Sequence, residues 1–65
     1  MKLIINGQKK DIECNSVSEL IGKLGLDKDM VALELNKNIV HRQDFEETIL
    51  KNNDKVEIVK VVGGG

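Results

Sequence analysis

A single amphipathic helix between strand-like segments limits what this chain can fold into. Apolar side chains recur at i, i+3, i+4 and i+7 and predict one buried helical face: Val17, Leu20, Ile21 and Leu24. Ser16 stands three residues before Glu19, and this S-x-x-E pattern is a capping box that satisfies free N–H groups at a helix start. Gly25 suits the left-handed position that ends a helix. The remaining apolar residues must therefore be buried through strands.

The first strand-like segments form a predicted hairpin. Residues 2–5 favour a β-strand, Asn6-Gly7 is a strong two-residue hairpin signal, and residues 8–13 provide the polar return strand. The hairpin and the helix together account for the first 25 residues of the chain.

Three further strand-like segments follow the helix. Residues 31–35 alternate between apolar and other side chains, which predicts a half-buried strand. An Asn-rich turn follows and leads into a short return strand at residues 39–40. Residues 55–62 form the last predicted strand. Between them, residues 41–50 are predicted to be a loop with one helical turn near residues 44–47. In the last strand, Val56 and Ile58 are assigned to the core side.

This order of segments predicts the α+β class. A hairpin, one helix and further strands are the layout of the ubiquitin-like β-grasp, a mixed sheet of four to five strands packed on one main helix. The first and last strands are expected to be parallel neighbours in the sheet centre, joined by a long right-handed crossover.

The chain is short, and its composition excludes several functions. Sixty-five residues form one domain with little room for an internal active-site cavity, so function is expected on a surface or at an end. The formal net charge is -1, and Phe45 is the only aromatic residue, so no nucleic-acid surface is expected. Every apolar run is shorter than eight residues, which argues against a membrane span or a signal peptide. The single cysteine, Cys14, fits a reducing compartment, and a cytoplasmic monomer is expected.

Two features remain as candidate functional sites. The first is the chain end, since residues 1–62 form the predicted domain and a flexible tail is predicted to follow it. This tail consists of Gly63, Gly64 and Gly65, and it could thread a narrow channel because glycine has no side chain. Taken alone, such an end also fits a flexible linker. An exposed apolar patch of Ile4, Val59 and Val61 is predicted on the sheet face opposite the helix, and such a patch often marks a partner surface.

The sequence predicts no catalytic residue and no metal site. Cys14 lacks a histidine partner or a CxxC spacing and is interpreted as a structural thiol. His41 has no second ligand at metal spacing. Arg42 is expected to join Asp44 and Glu46 in a solvated charge cluster.

At four places the chain resembles the ThiS family, the sulfur carrier proteins of thiamine biosynthesis. The matching segments are Val31-Ala32-Leu33-Glu34-Leu35-Asn36, Ile39-Val40-His41-Arg42, Asp54-Lys55-Val56-Glu57-Ile58-Val59 and Val62-Gly63-Gly64-Gly65. His41 departs from the family pattern, which commonly has proline before the arginine. The resemblance covers essentially the whole chain and implies the ubiquitin-like fold.

The resemblance also implies a chemistry for the tail. The Gly65 carboxylate would be adenylated by an E1-like (ThiF-type) enzyme and converted with a sulfur donor protein to a thiocarboxylate. The thiocarboxylate would then deliver sulfur to a thiazole synthase of the ThiG type. The chain itself would be a carrier and not an enzyme, with no bound cofactor, and ATP would be used by the activating enzyme. The alternatives left open are a carrier like the small subunit of molybdopterin synthase, a ubiquitin-like modifier, and a non-catalytic interaction module.

Overall fold

The structure is a computed structural model, and it describes residues 1–61. Five strands form one mixed sheet in the order β2-β1-β5-β3-β4. The strands are β1 (Lys2–Ile5), β2 (Gln8–Asp11), β3 (Val31–Leu35), β4 (Asn38–Val40) and β5 (Asp54–Lys60), with the helix α1 (Val17–Lys23) between β2 and β3. The parallel pair β1 and β5 lies at the sheet centre, and the other pairs are antiparallel. The β-grasp layout predicted from the sequence is therefore confirmed.

The helix begins and ends at the predicted residues. The Ser16 hydroxyl accepts a hydrogen bond from the Glu19 N–H at 3.1 Å, while the Glu19 carboxylate accepts from the N–H of Asn15. The second bond thus reaches one residue further back than in the standard capping box. After the helix, Gly25 takes a positive φ of 71°, and the N–H of Leu26 donates to the carbonyl of Ile21 in a Schellman motif.

The core lies between this helix and one face of the sheet. Its most buried side chains come from three strands and the helix: Leu3, Leu33, Val56, Val17 and Leu20. Phe45 and Leu50 complete the core from the long segment between β4 and β5. The alternation predicted for β5 is confirmed, because Val56 is buried while Glu57 and Val59 are exposed on the opposite face.

The connections contain two 3₁₀ turns. The first, at Arg42–Asp44, directly precedes the helical turn predicted near residues 44–47, where the N–H groups of Glu47 and Thr48 both donate to the Asp44 carbonyl. A second 3₁₀ turn at Lys28–Met30 was not predicted; the Asp27 carboxylate caps it by accepting from the Asp29 N–H at 2.9 Å. No helix in the described residues is long and apolar enough to cross a membrane.

Candidate functional site

The last strand carries the chain out of the sheet centre. β5 lies between β1 and β3, and after it the N–H of Val61 donates to the Met30 carbonyl at 2.8 Å. This is the last backbone hydrogen bond along the described chain. The predicted tail Gly63, Gly64 and Gly65, and the predicted domain boundary at residue 62, lie outside the described residues, so these assignments stay predictions.

An apolar surface lies on the outer face of the sheet, beside the point where β5 ends. Val59 is 63% exposed and pairs with Ala32 across β3 and β5, and Ile39 on β4 is 69% exposed. Ala32, Ile39 and Val59 line one shallow cleft, which we call the outer apolar patch. Its position places apolar side chains close to the root of the tail.

Sequence reasoning missed Ile39. The β3–β4 hairpin pairs Leu35 with Asn38 and Glu34 with Ile39, so Ile39 shares the outer face with Glu34 while Val40 faces the core. The signal was present in the sequence, because a two-residue turn at Asn36-Lys37 fixes this register, and a shift by one residue would exchange Ile39 and Val40 between faces.

Ile4 does not lie beside Val59 as the sequence predicted. Ile4 is half-buried and pairs with Lys9 on β2 and Lys55 on β5. Val59 lies four residues beyond Lys55, which corresponds to roughly 13 Å along a strand. Val61 is 50% exposed and lines a separate groove with Met30. Ile4 therefore lies apart from Val59, and the role of Ile4, Val59 and Val61 at a partner surface stays a prediction.

The charges on the outer face are separated along the sheet. Glu34 and Glu57 are direct cross-strand neighbours and both line the outer apolar patch. Like charges directly opposite each other destabilise a sheet. Lys9 and Lys55 instead flank Ile4 at the other end of the face. A partner that covers the outer apolar patch therefore meets negative charge at its margin.

The remaining candidate side chains form no reactive cluster. Arg42 donates to the Asp29 carboxylate at 2.8 Å, which ties the two 3₁₀ turns together. The expected cluster of Arg42 with Asp44 and Glu46 is thus replaced by a pair with Asp29, a residue distant in sequence. Within residues 1–61, no group of three or more His, Cys, Asp or Glu side chains could hold a metal ion.

Cys14 is buried, with 6% of its surface exposed. Burial raises the pKa of the Cys14 thiol above its ordinary value, and the Glu19 carboxylate adds to the rise. The thiol therefore stays protonated at neutral pH, and protonated thiols are poor nucleophiles. This geometry agrees with a structural thiol.

We expect Cys14 in the native chain to react with iodoacetamide on the order of tenfold more slowly than in the guanidinium-unfolded chain at pH 7.5, because both access and thiolate formation are suppressed. Mass spectrometry of timed samples measures the two rates. Equal rates in the two states would contradict a buried, protonated thiol.

Comparison with known proteins gives a consistent result. Residues 3–65 match the model of the ThiS family. The chain is 34% identical over 67 residues to the sulfur carrier protein ThiS of Bacillus subtilis, covering 97% of this chain and 98% of that protein. The crystal structure of the thiamine biosynthesis protein (ThiS) from Geobacter metallireducens matches with a TM-score of 0.85 at 32% identity over 100% of both chains.

A second group of relatives is much longer. The chain is 39% identical over 66 residues to a thiazole synthase of Paramagnetospirillum magneticum, and 35% identical to one of Magnetococcus marinus. In both cases the match covers 100% of this chain but only 20% of the relative. The chain thus spans a fifth of the length of these thiazole synthases.

Proposed function

The chain belongs to the ThiS family, and we propose on this premise that it is a sulfur carrier of thiamine biosynthesis that acts through the carboxylate of Gly65. A terminal carboxylate has a pKa of about 3.3–3.7 and is an anion at neutral pH. One of its oxygens attacks the α-phosphorus of ATP, pyrophosphate leaves, and an acyl-adenylate forms. Sulfide then attacks the acyl carbon, AMP leaves, and a thiocarboxylate remains.

The proposal assigns the catalytic groups to partner enzymes. An E1-like adenylyltransferase (ThiF type) binds ATP and activates Gly65, a sulfur donor protein supplies the sulfur, and a thiazole synthase (ThiG type) receives it in the cytoplasm. The carrier itself is not an enzyme and holds no cofactor. Two relatives named thiazole synthase contain a segment similar to this chain, which supports a partnership with that enzyme.

One observation carries the proposal: the similarity extends over the whole chain to its last glycine. The family match covers residues 3–65 and so includes the Gly63-Gly64-Gly65 tail. The position of β5 adds support, because a strand in the sheet centre holds the root of the tail firmly at a defined point of the fold.

The outer apolar patch supplies the binding energy that tail ordering needs. Fixing three glycines costs at least ~3–6 kcal/mol of backbone entropy. Burial of the Val59 and Ile39 side chains against a partner stabilises the complex by up to ~1.5–3 kcal/mol for each side chain. This gain offsets an entropy cost of the size given above. We therefore propose that partner enzymes cover the outer apolar patch while the tail enters their active sites.

Intact-mass spectrometry tests the proposed function. The chain is incubated with a ThiF-type enzyme, ATP and sulfide, and replacement of one oxygen by sulfur at Gly65 is expected. A sample without ATP is the control. The thiocarboxylated chain is then mixed separately with thiazole synthase and with the large subunit of molybdopterin synthase, each supplied with its own acceptor substrate, and sulfur transfer is expected only in the first mixture. An unchanged mass would favour an inert ubiquitin-like module.

A further inference from the structure

β5 extends further along the sheet than β1, its parallel neighbour. The pairing of the two strands ends where Ile5 meets Val56, because the chain then turns at Asn6-Gly7 into β2. β5 continues to Lys60. The sheet therefore has a notch beside the last residues of β5, at the point where the chain leads into the tail.

The side chain of Asn6 fills the first part of this notch. Its amide oxygen accepts a hydrogen bond from the Ile58 N–H at 2.8 Å, and its amide nitrogen donates to the Ile58 carbonyl at 3.2 Å. The amide thus takes the place of one further residue of β1. It satisfies the backbone of Ile58 but does not extend to Lys60.

The backbone of Lys60 faces the open part of the notch. In a strand, the N–H and C=O groups of successive residues point alternately to the two neighbouring strands. The Val61 N–H bonds to Met30, on the β3 side, whereas the backbone of Ile58 faces the β1 side. Lys60 lies between them in sequence and points to the β1 side like Ile58. No residue of the described chain pairs with it there, and Lys60 is exposed.

An apolar groove runs along this open edge. Its lining comes from the edge itself and from the segment that follows the helix: Ile5, Asn6, Leu24, Leu26, Ile58 and Lys60. Leu24 and Leu26 are half-buried and pack on the core from this side. Successive side chains of a strand laid here would point alternately to the leucines and to the outer face that carries Val59.

We propose that the notch beside Lys60 is a docking site for an extended segment of the activating enzyme, which adds to the sheet as a further strand. Unpaired edge groups readily pair with a strand from another chain. The inference rests on the proposed function, in which that enzyme binds Gly65. Gly65 is five residues beyond Lys60, a reach of roughly 17 Å, so the enzyme must lie close to this edge. The added strand holds the tail root extended and aims Gly65 at the ATP site.

Amide hydrogen exchange measured by NMR tests the proposal directly. In the free chain, the Lys60 amide is expected to exchange rapidly, and on binding of the activating enzyme to slow by at least about tenfold because it gains a hydrogen bond. The Lys37 amide at the tip of the β3–β4 turn serves as a control that stays fast. An unchanged Lys60 exchange rate in the complex would overturn the proposal.

Variants at Lys60 separate the backbone from the side chain. Lys60→Pro removes the N–H on the notch side without removing a bond to β3, and it should raise the Kd for the activating enzyme at least about fivefold, the effect of one lost hydrogen bond. Lys60→Ala keeps the N–H and should weaken binding less than Lys60→Pro does. An equal loss in both variants would place the contact on the side chain and refute the added strand.

A synthetic chain with an ester in place of the Lys60 amide gives a second measurement of the same bond. It should also bind several-fold more weakly, and should Lys60→Pro fail to fold, the ester chain decides alone. Wild-type adenylation is measured in the same preparations. Absence of wild-type adenylation would refute the proposed function and the docking site together, whereas adenylation with normal binding of the ester chain would refute only the docking site.

Discussion

Deletion of Gly65 is expected to abolish formation of the thiocarboxylate. The deletion leaves a carboxylate on Gly64 with the same chemistry, but moves it about 3.5 Å back along the tail. A carboxylate displaced by this distance can no longer reach the α-phosphorus to attack it. Displacements of only 1 Å can already lower the rate on the order of a hundredfold. Intact-mass spectrometry after incubation with the activating enzyme, ATP and sulfide measures the loss.

Gly65→Ala is the matched variant, because it keeps the length of the tail and adds only one methyl group. A large loss in this variant as well would show that the tail enters a channel too narrow for a Cβ, as a tail without side chains suggests. Full activity of Gly65→Ala would show that length alone matters. A truncated chain that still accepts sulfur would contradict the role given to the chain end.

The parts of the fold that depend on local sequence were predictable. The helix start at Ser16 and its end at Gly25 follow from side chains within a few residues of each other, and both were confirmed. The hairpin at Asn6-Gly7 was confirmed for the same reason, since both residues take the positive φ that Asn and Gly tolerate best. Local signals of this kind need no knowledge of distant pairing.

The features that were missed depend on residues that meet across the fold. Asn6 bonds to Ile58, 52 positions along the chain, and Arg42 pairs with Asp29 rather than with its sequence neighbours. The exposure of Ile39 depends on the register of the β3–β4 hairpin, which was missed because the return strand was predicted to start at residue 39 and not at Asn38. Side-chain types alone do not reveal such contacts, because each needs the strand order and register first.

Val59→Asp is expected to weaken adenylation strongly while the chain stays folded. Val59 is 63% exposed, so the substitution removes little core packing, and the lower strand preference of Asp costs about 1 kcal/mol. A loss of this size lowers the Tm of a domain this small by roughly 4–8 °C. In the complex, the lost apolar contact and the buried carboxylate together should reduce kcat/KM for adenylation by about tenfold to a hundredfold.

Two variants show whether the loss belongs to the outer apolar patch. Ile49→Asp places the same charge at a similarly exposed position, 59% accessible and paired with Ser16 away from that patch, and should be adenylated normally. Val59→Thr keeps the branched shape and exchanges one methyl for a hydroxyl, so it should lose less than Val59→Asp. Normal kinetics in Val59→Asp, or an equal loss in Ile49→Asp, would contradict docking through Val59. A smaller loss of kcat/KM in Val59→Thr than in Val59→Asp, with no loss in Ile49→Asp, would follow from an enzyme surface that excludes water from this patch as the tail enters.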